Sequence, residues 1–290
     1  MKKLLKWIAI GLGAVVLLAA IGYVVAVMTT KGREKKKYPV ATLAITVPTD
    51  SASIAHGHHL ATAIGKCVDC HGEDLGGRLF IDGMPMGKFA SPNITPGGEI
   101  AAWSDADVAR AIHHAVNPAG RGLIFMPADA FVAFSAEDLG ALVAYVRQVP
   151  KVTRIGPTTQ IGPIGRLLWA TGKMELQAAR VIDLNAPVAA APPVGPTPEY
   201  GKYLAQTGGC TSCHGPNLKG GLQFGPPGTP PSQDLTALHD WQEADFVKAL
   251  RTGVRPDGSA INTFMPWQLA GLMTDEEMTA VWSYIRTLQK

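Results

Sequence analysis

All four cysteines of this 290-residue chain lie in two copies of one pentapeptide, Cys67-Val68-Asp69-Cys70-His71 and Cys210-Thr211-Ser212-Cys213-His214. Cys-x-x-Cys-His is the pattern of covalent c-type haem attachment: two thiols add to the porphyrin vinyl groups and the adjacent imidazole ligates iron. Two intervening residues let both sulfurs reach one edge of the macrocycle, and the histidine follows directly beneath the metal. A zinc ribbon would hold its pairs about 15–20 residues apart, and a thioredoxin-like pair would sit in a βαβ pattern; the sequence has neither. Two covalently bound haems c are therefore expected, on Cys67, Cys70 and His71 and on Cys210, Cys213 and His214. With all four thiols consumed, no disulfide is expected.

The rest of the chain repeats around these motifs with a period of about 140 residues. Gly57-His58-His59-Leu60 precedes the first and Gly201-Lys202-Tyr203-Leu204 the second. Trp103–Val108 answers Trp241–Phe246, and Phe125-Met126-Pro127 answers Phe264-Met265-Pro266. Helices are predicted over 54–66 and 199–208, over 104–116 and 242–252, and from Ser135 and Thr274 onward. Asp138 and Glu277 stand three residues after Ser135 and Thr274, a capping-box-like start. Leu139, Leu142, Val143 and Val146, then Met278, Val281, Trp282 and Ile285, recur at helical spacing. Gly 32 and Pro 22 argue for loops between helices, with little strand signal. The expected fold is all-α: two tandem domains at 50–150 and 199–290, joined by a connector at 151–198. Each has a thin core in which the cofactor supplies much of the buried apolar surface, so the apo form should be unstable.

Trp7–Met28 is a run of 22 residues without a charge, preceded by Lys2, Lys3 and Lys6. A bilayer takes about 20 apolar residues to span, whereas a cleaved signal has an apolar core of about 7–15 and a small-x-small exit. The exit here, Ala26-Val27-Met28-Thr29, is a poor cleavage site, which favours a retained anchor with its basic stem over 1–37. Basic residues flank the run on both sides, so the positive-inside rule alone leaves orientation open. Covalent haem attachment takes place outside the cytoplasm. That puts the N-terminus inside and both domains in the periplasm. From Tyr38 onward the chain carries 18 basic and 22 acidic residues, which gives no ground for nucleic-acid binding.

The sixth ligand of each iron decides between electron transfer and catalysis. Met126 and Met265 occupy matching repeat positions, 55 and 51 residues after their histidines. The proline after each keeps it extended, suited to a loop laid across a haem face. These are the candidate axial ligands opposite His71 and His214. Met84 and Met86 are rivals in the first domain, and a methionine can also simply fill a core. Met174, Met273 and Met278 read as packing residues. His113 and His114 could supply a second imidazole, but Arg251 and Thr252 stand at those places in the second repeat. His56, His58 and His59 read as a solvated helix start.

With CVDCH, CTSCH, two FMP segments, Ser91-Pro92-Asn93-Ile94-Thr95 and the terminal helices, the chain resembles the class I c-type cytochromes. Within them it is similar to membrane-anchored dihaem cytochromes related to the cytochrome subunits of periplasmic dehydrogenases. The resemblance implies that first and last helices cross at Gly57 with Tyr145 and at Gly201 with Tyr284. It also implies that Asn93 and Thr95 lie near the haem propionates, where the second repeat has Asp234-Leu235-Thr236. Those dehydrogenase subunits often carry three haems and this chain has two motifs, so the resemblance leaves the partner open.

His/Met ligation on both irons leaves no vacancy for substrate. The expectation is an electron carrier, passing single electrons from a periplasmic donor to a membrane or soluble acceptor. The alternatives are a dihaem peroxidase and a haem-containing subunit of a dehydrogenase complex. A thiosulfate-oxidising enzyme with cysteine ligation would need a fifth cysteine, and a gas sensor would need a signalling module. The first domain carries 6 basic and 11 acidic residues, which suits a basic face on a redox partner or is simply a soluble surface. The Pro-rich connector, semi-rigid in composition, is expected to pack along both domains and keep the haems close.

Overall fold

The computed structural model describes residues 1–223 and 228–289. It opens with a 34-residue helix, α1 (Lys2–Lys35). The first unit comprises α2 (Ser51–His59), α3 (Cys67–His71), β1 (Arg78–Gly83), β2 (Gly87–Ser91), α4 (Asp105–His114), α5 (Ala128–Phe131) and α6 (Ala136–Gln148). The connector contributes β3 (Gln160–Ile161) and α7 (Pro163–Ala170). In the second unit come α8 (Pro198–Thr207), α9 (Cys210–His214), α10 (Glu243–Thr252), α11 (Trp267–Ala270) and α12 (Asp275–Leu288). Of the expected second domain, residues 224–227 and 290 lie outside the described residues.

Helix starts follow the capping chemistry of the sequence. Ser104 and Asp107 cap α4 reciprocally, with the Asp107 N–H on Ser104 Oγ and the Ser104 N–H on Asp107 Oδ2, both 3.2 Å. Thr274 and Glu277 do the same for α12. Ser135 accepts from the Asp138 N–H at the start of α6 (3.1 Å), but the Asp138 carboxylate does not return to the cap. It is used elsewhere. The helix through 54–66 is not uniform: after α2 the chain widens into one π-turn, with the Gly65 N–H on the Leu60 carbonyl (2.7 Å). Lys66 then turns left-handed (φ 50) and delivers the chain into α3.

The first and last helices of each unit cross at a glycine. A Cβ on Gly57 would collide with the Ala141 carbonyl and the Tyr145 Cβ, and one on Gly201 would collide with the Ala280 carbonyl. Ala141 and Ala280 hold the same place in α6 and α12. Only hydrogen at these two positions lets the backbones approach so closely.

The expectation of an all-α fold with little strand needs correction. Mostly helical it is, but β1 and β2 form an antiparallel hairpin, and the connector adds β3 to make a three-stranded sheet. Leu79-Phe80-Ile81 lacks the alternation that marks a strand in sequence. What fixes the hairpin is non-local: Phe89, Trp169 and Leu176 bury together beneath it, each at 1% exposure or less. Burying such side chains stabilises by about 1.5–3 kcal/mol apiece, enough to hold the sheet and α7 as part of the first unit. In the connector, α7 opens with Pro163 in its first turn, where the missing N–H costs no helix hydrogen bond.

One apolar core runs through both units, from Leu60, Ile64, Phe131 and Phe134 to Tyr203, Leu204, Met278 and Ile285. The short helix after each Phe-Met-Pro packs on the first helix of the opposite unit: α5 on α8, and α11 on the turn at 60–64. Polar contacts reciprocate as well. His59 Nε2 meets the Glu277 carboxylate (2.9 Å), and the matching Tyr203 hydroxyl donates to the matching Asp138 while accepting from the Ser135 N–H (3.1 Å). His56 Nε2 joins Asp138 from its own unit (2.6 Å). The expectation that His56 and His59 are merely solvated is thereby corrected: both are tied to carboxylates at the seam between units.

Candidate functional site

Each motif opens onto its own cavity. The first, about 650 Å³, is lined by Cys67, Cys70, His71 and Met126, with Ile94, Ile100, Trp103, Phe131, Leu142 and Val146 among its walls. The second, about 260 Å³, is lined among the described residues by Cys210, Cys213, His214 and Met265, with Leu218, Phe246, Leu250 and Ile285. Both are largely apolar with a few convergent polar groups, the character of a small-molecule or cofactor site.

Local structure positions each histidine identically. His71 Nδ1 lies 2.9 Å from the Pro92 carbonyl, and His214 Nδ1 lies 2.7 Å from that of Gln233, the equivalent residue. A carbonyl only accepts, so Nδ1 carries the hydrogen and Nε2 keeps its lone pair for a metal. Burial pushes both imidazoles below their ordinary pKa, favouring the neutral, ligating form. The carbonyl is aimed by the turn after it. Asn93 Oδ1 accepts from the Thr95 N–H (2.9 Å) and hydroxyl (2.7 Å), and Asp234 Oδ1 accepts from the Thr236 N–H (2.8 Å) and hydroxyl (2.7 Å). Asp234 thus reproduces the Asn93 turn. Asn93 lines the first cavity, whereas Asp234 is not among the residues lining the second.

The acidity of the thiols runs against a nucleophilic role. Burial pushes Cys67 up to about 12 and Cys70 up to about 11, and raises Cys210 and Cys213. A nucleophilic or redox-active cysteine needs the opposite shift. Four half-buried cysteines lining apolar cavities suit thioether attachment of an apolar macrocycle, and the paired cysteines, the free Nε2 and a methionine in each cavity fit haem.

Met126 and Met265 line the two cavities; the rivals Met84 and Met86 do not. Met84 is 59% exposed, and Met86 packs under the hairpin with Trp169. Met273 and Met278 are core residues. His113 and His114 are fully buried against one another (3.2 Å) and line neither cavity, so the structure does not bring them to the motifs.

Three side chains at the site escaped the sequence. Lys66 lines both cavities, its Nζ donating to the Ile64 and Gly208 carbonyls (both 2.9 Å) across the seam. Burial lowers its pKa. Arg154 lines the first cavity from the connector and clamps Asp74 (2.6 and 2.8 Å), holding that carboxyl down to about 2. Arg255 lines the second, braced by the Ala260 carbonyl (2.6 Å) and Gln233. Nothing local in sequence marks either arginine as a lining residue.

Comparison with known proteins agrees with this geometry. Residues 198–289 match the family Cytochrome c, and residues 52–146 match Cytochrome C oxidase, cbb3-type, subunit III. Both units are c-type cytochrome domains. Such domains hold haem c covalently and transfer electrons. The chain is 35% identical over 96 residues to a gluconate 2-dehydrogenase cytochrome c subunit of Pantoea cypripedii, covering 29% of this chain and 21% of that one. It is 35% identical over 96 residues to an alcohol dehydrogenase (quinone) cytochrome c subunit of Gluconacetobacter polyoxogenes, covering 30% and 20%. It is 32% identical over 116 residues to a fructose dehydrogenase cytochrome subunit of Gluconobacter japonicus, covering 33% and 24%. These matches span about a fifth to a quarter of the relatives' lengths, one cytochrome domain's worth. Ahead of the cytochrome c domains, α1 is long and apolar enough to cross a membrane.

Proposed function

We propose that this chain is a membrane-tethered dihaem electron relay, with domains at 50–150 and 199–290 and a connector at 151–198. Cys67 and Cys70 attach one haem, with His71 and Met126 on its iron; Cys210 and Cys213 attach the other, with His214 and Met265. The N-terminal segment is retained as a single-pass anchor in the inner membrane, N-terminus inside, and the domains face the periplasm. Haem supplies the one-electron ferric/ferrous couple. The protein's part is to fix each imidazole through a backbone carbonyl, seat a methionine in the same cavity and exclude water with apolar walls. Closing both axial positions suits electron transfer and disfavours peroxidase chemistry, which needs an open position. Lys66, lining both cavities across one continuous core, supports rapid exchange between the two haems.

The observation that carries this reading is the full donor set in each cavity: two cysteines, a histidine with Nε2 free and a methionine. The cytochrome subunits of three dehydrogenases among the relatives favour a dehydrogenase as electron donor, with this chain as carrier rather than catalytic subunit. Haem quantification of the purified protein is expected to give two per chain. Near-infrared magnetic circular dichroism of the oxidised form is expected to show methionine on both irons. One haem per chain, or a high-spin iron, would overturn the relay reading.

A further inference from the structure

The tip of the β1–β2 hairpin, Met84–Met86, and α7 line neither cavity. They come together at one place. The Ile164 N–H donates to the Pro85 carbonyl (3.1 Å) and the Gly162 N–H to the Met86 carbonyl (3.0 Å), so the hairpin tip rests on the first turn of α7. In turn α7 packs along the end of α1. Arg166 Nη1 donates to Thr30 Oγ1 (2.8 Å) and Glu34 Oε1 (3.0 Å), and Arg33 reaches back to the Trp169 and Ala170 carbonyls. Ala26 and Thr30 are the buried residues of α1.

The height of this contact is set by helix geometry. From Trp7, a hydrocarbon core about 30 Å thick consumes about 20 residues at about 1.5 Å each, ending close to Ala26. The first charge beyond is Lys31; Arg33 and Glu34 follow, turned to α7, and then Lys35, Lys36 and Lys37, which like Lys31 are exposed. So α7 and the hairpin tip stand where α1 leaves the apolar layer. At that level they present Met84 (59% exposed), Ile164 (44%) and Leu167 (47%), with Pro85 and Pro163 also exposed. An apolar patch continuous with a membrane anchor and capped by lysines has the character of an interfacial lipid contact.

We propose that Met84, Pro85, Pro163, Ile164 and Leu167 form a lipid-contacting foot, seated at the headgroup–acyl boundary beside the anchor. It fixes the tilt and height of the first cytochrome domain on the membrane. The inference rests on reading Trp7–Met28 as a retained span.

The test uses the full-length holoprotein in phosphatidylcholine vesicles. Single variants Met84→Cys, Leu167→Cys and Leu12→Cys are labelled with an environment-sensitive fluorophore; the native thiols, held as thioethers, do not react. Haem absorbance confirms that each variant is loaded. Lipids bearing a nitroxide near the headgroup should quench the labels at 84 and 167 at least about twofold more than lipids bearing it near the acyl end, for a foot buried about 5–10 Å deep. The label at 12 should show the reverse order. Labels at 84 and 167 unquenched by either lipid, with the label at 12 quenched, would overturn the foot and leave the anchor standing. That result includes the case in which protein rather than lipid covers the patch. A label at 12 that is itself unquenched would overturn the anchor and the foot with it.

Discussion

The two cytochrome domains share their motif geometry closely and differ in what surrounds it. In both, a carbonyl one residue before an Asx-type turn fixes the histidine, a glycine lets the terminal helices cross, and a Phe-Met-Pro loop lines the cavity. The first cavity is also walled by connector residues 153–159, whereas the second has no such strap among the described residues. Phe125 before Met126 is 38% exposed, and its equivalent Phe264 is 53% exposed. Haem attachment needs only short-range turns and so repeats faithfully. Covering the haem is a long-range property and is free to diverge.

The largest effect that would sharpen this comparison comes from removing one attachment at a time. Cys210→Ala with Cys213→Ala is expected to reduce haem from two per chain to one, read by haem quantification and intact mass. The equivalent pair at Cys67 and Cys70 is expected to lower the yield of folded protein further, because it empties the larger cavity beside the shared core. Equal yields from the two double variants would break the distinction drawn between the walls. Next in size are Gly57→Ala and Gly201→Ala. Each adds a Cβ against a helix carbonyl that cannot move aside, and overpacking of this kind costs about 3 kcal/mol at its upper range. The crossings are equivalent, so matched losses in denaturant midpoint are expected; a silent variant in either unit would show that its helices can slide.

At the seam the two halves are matched in position but not in chemistry. Asp138 serves His56 and the buried Tyr203 hydroxyl, while Glu277 serves His59 and its own helix cap. Burial, and secondarily the Asp138 charge, raises the Tyr203 pKa far above its ordinary value, so the hydroxyl stays a donor. Hydrogen bonds to charged groups contribute about 1.5–3 kcal/mol, which puts Asp138→Asn near 2 kcal/mol in thermal unfolding. Glu277→Gln, which retains an acceptor for both partners, should cost about half as much.

Much of the cofactor site was legible in sequence because its parts are local. The pentapeptides, the caps at Ser104, Ser135 and Thr274, and the repeated Phe-Met-Pro are each readable within a few residues. The crossing glycines were legible through the family resemblance. The hairpin was not, since Leu79-Phe80-Ile81 has no alternation and its third strand lies some seventy residues downstream. Lys66 reads as an ordinary solvated lysine until the two units are docked and its ammonium finds the Gly208 carbonyl. His59 and Glu277, 218 residues apart, could be paired only by knowing that the units meet along their terminal helices.

The smallest predicted effect is a pH optimum in the seam itself. The hydrogen bond to Asp138 raises the His56 pKa above its ordinary 6.5 despite burial. Its stabilisation is therefore complete below about 6.5 and is lost as pH rises through the raised value. Burial alone would raise Glu277, but His59 and the Thr274 N–H overcome it and hold the carboxyl below its ordinary 4.5. That contribution is complete above about 4.5 and is lost as pH falls through the lowered value. Both are present together between about 4.5 and 6.5, so the melting temperature of the ferric holoprotein should peak in that window. With the His56 side chain 44% exposed, solvent screening limits the alkaline limb to about 1 kcal/mol or less. Asp138→Asn removes the partner of His56 and should flatten that limb while leaving the acid limb, which belongs to Glu277, in place. If both limbs flatten together, the two carboxylates titrate as one network across the seam rather than as separate contacts of two units.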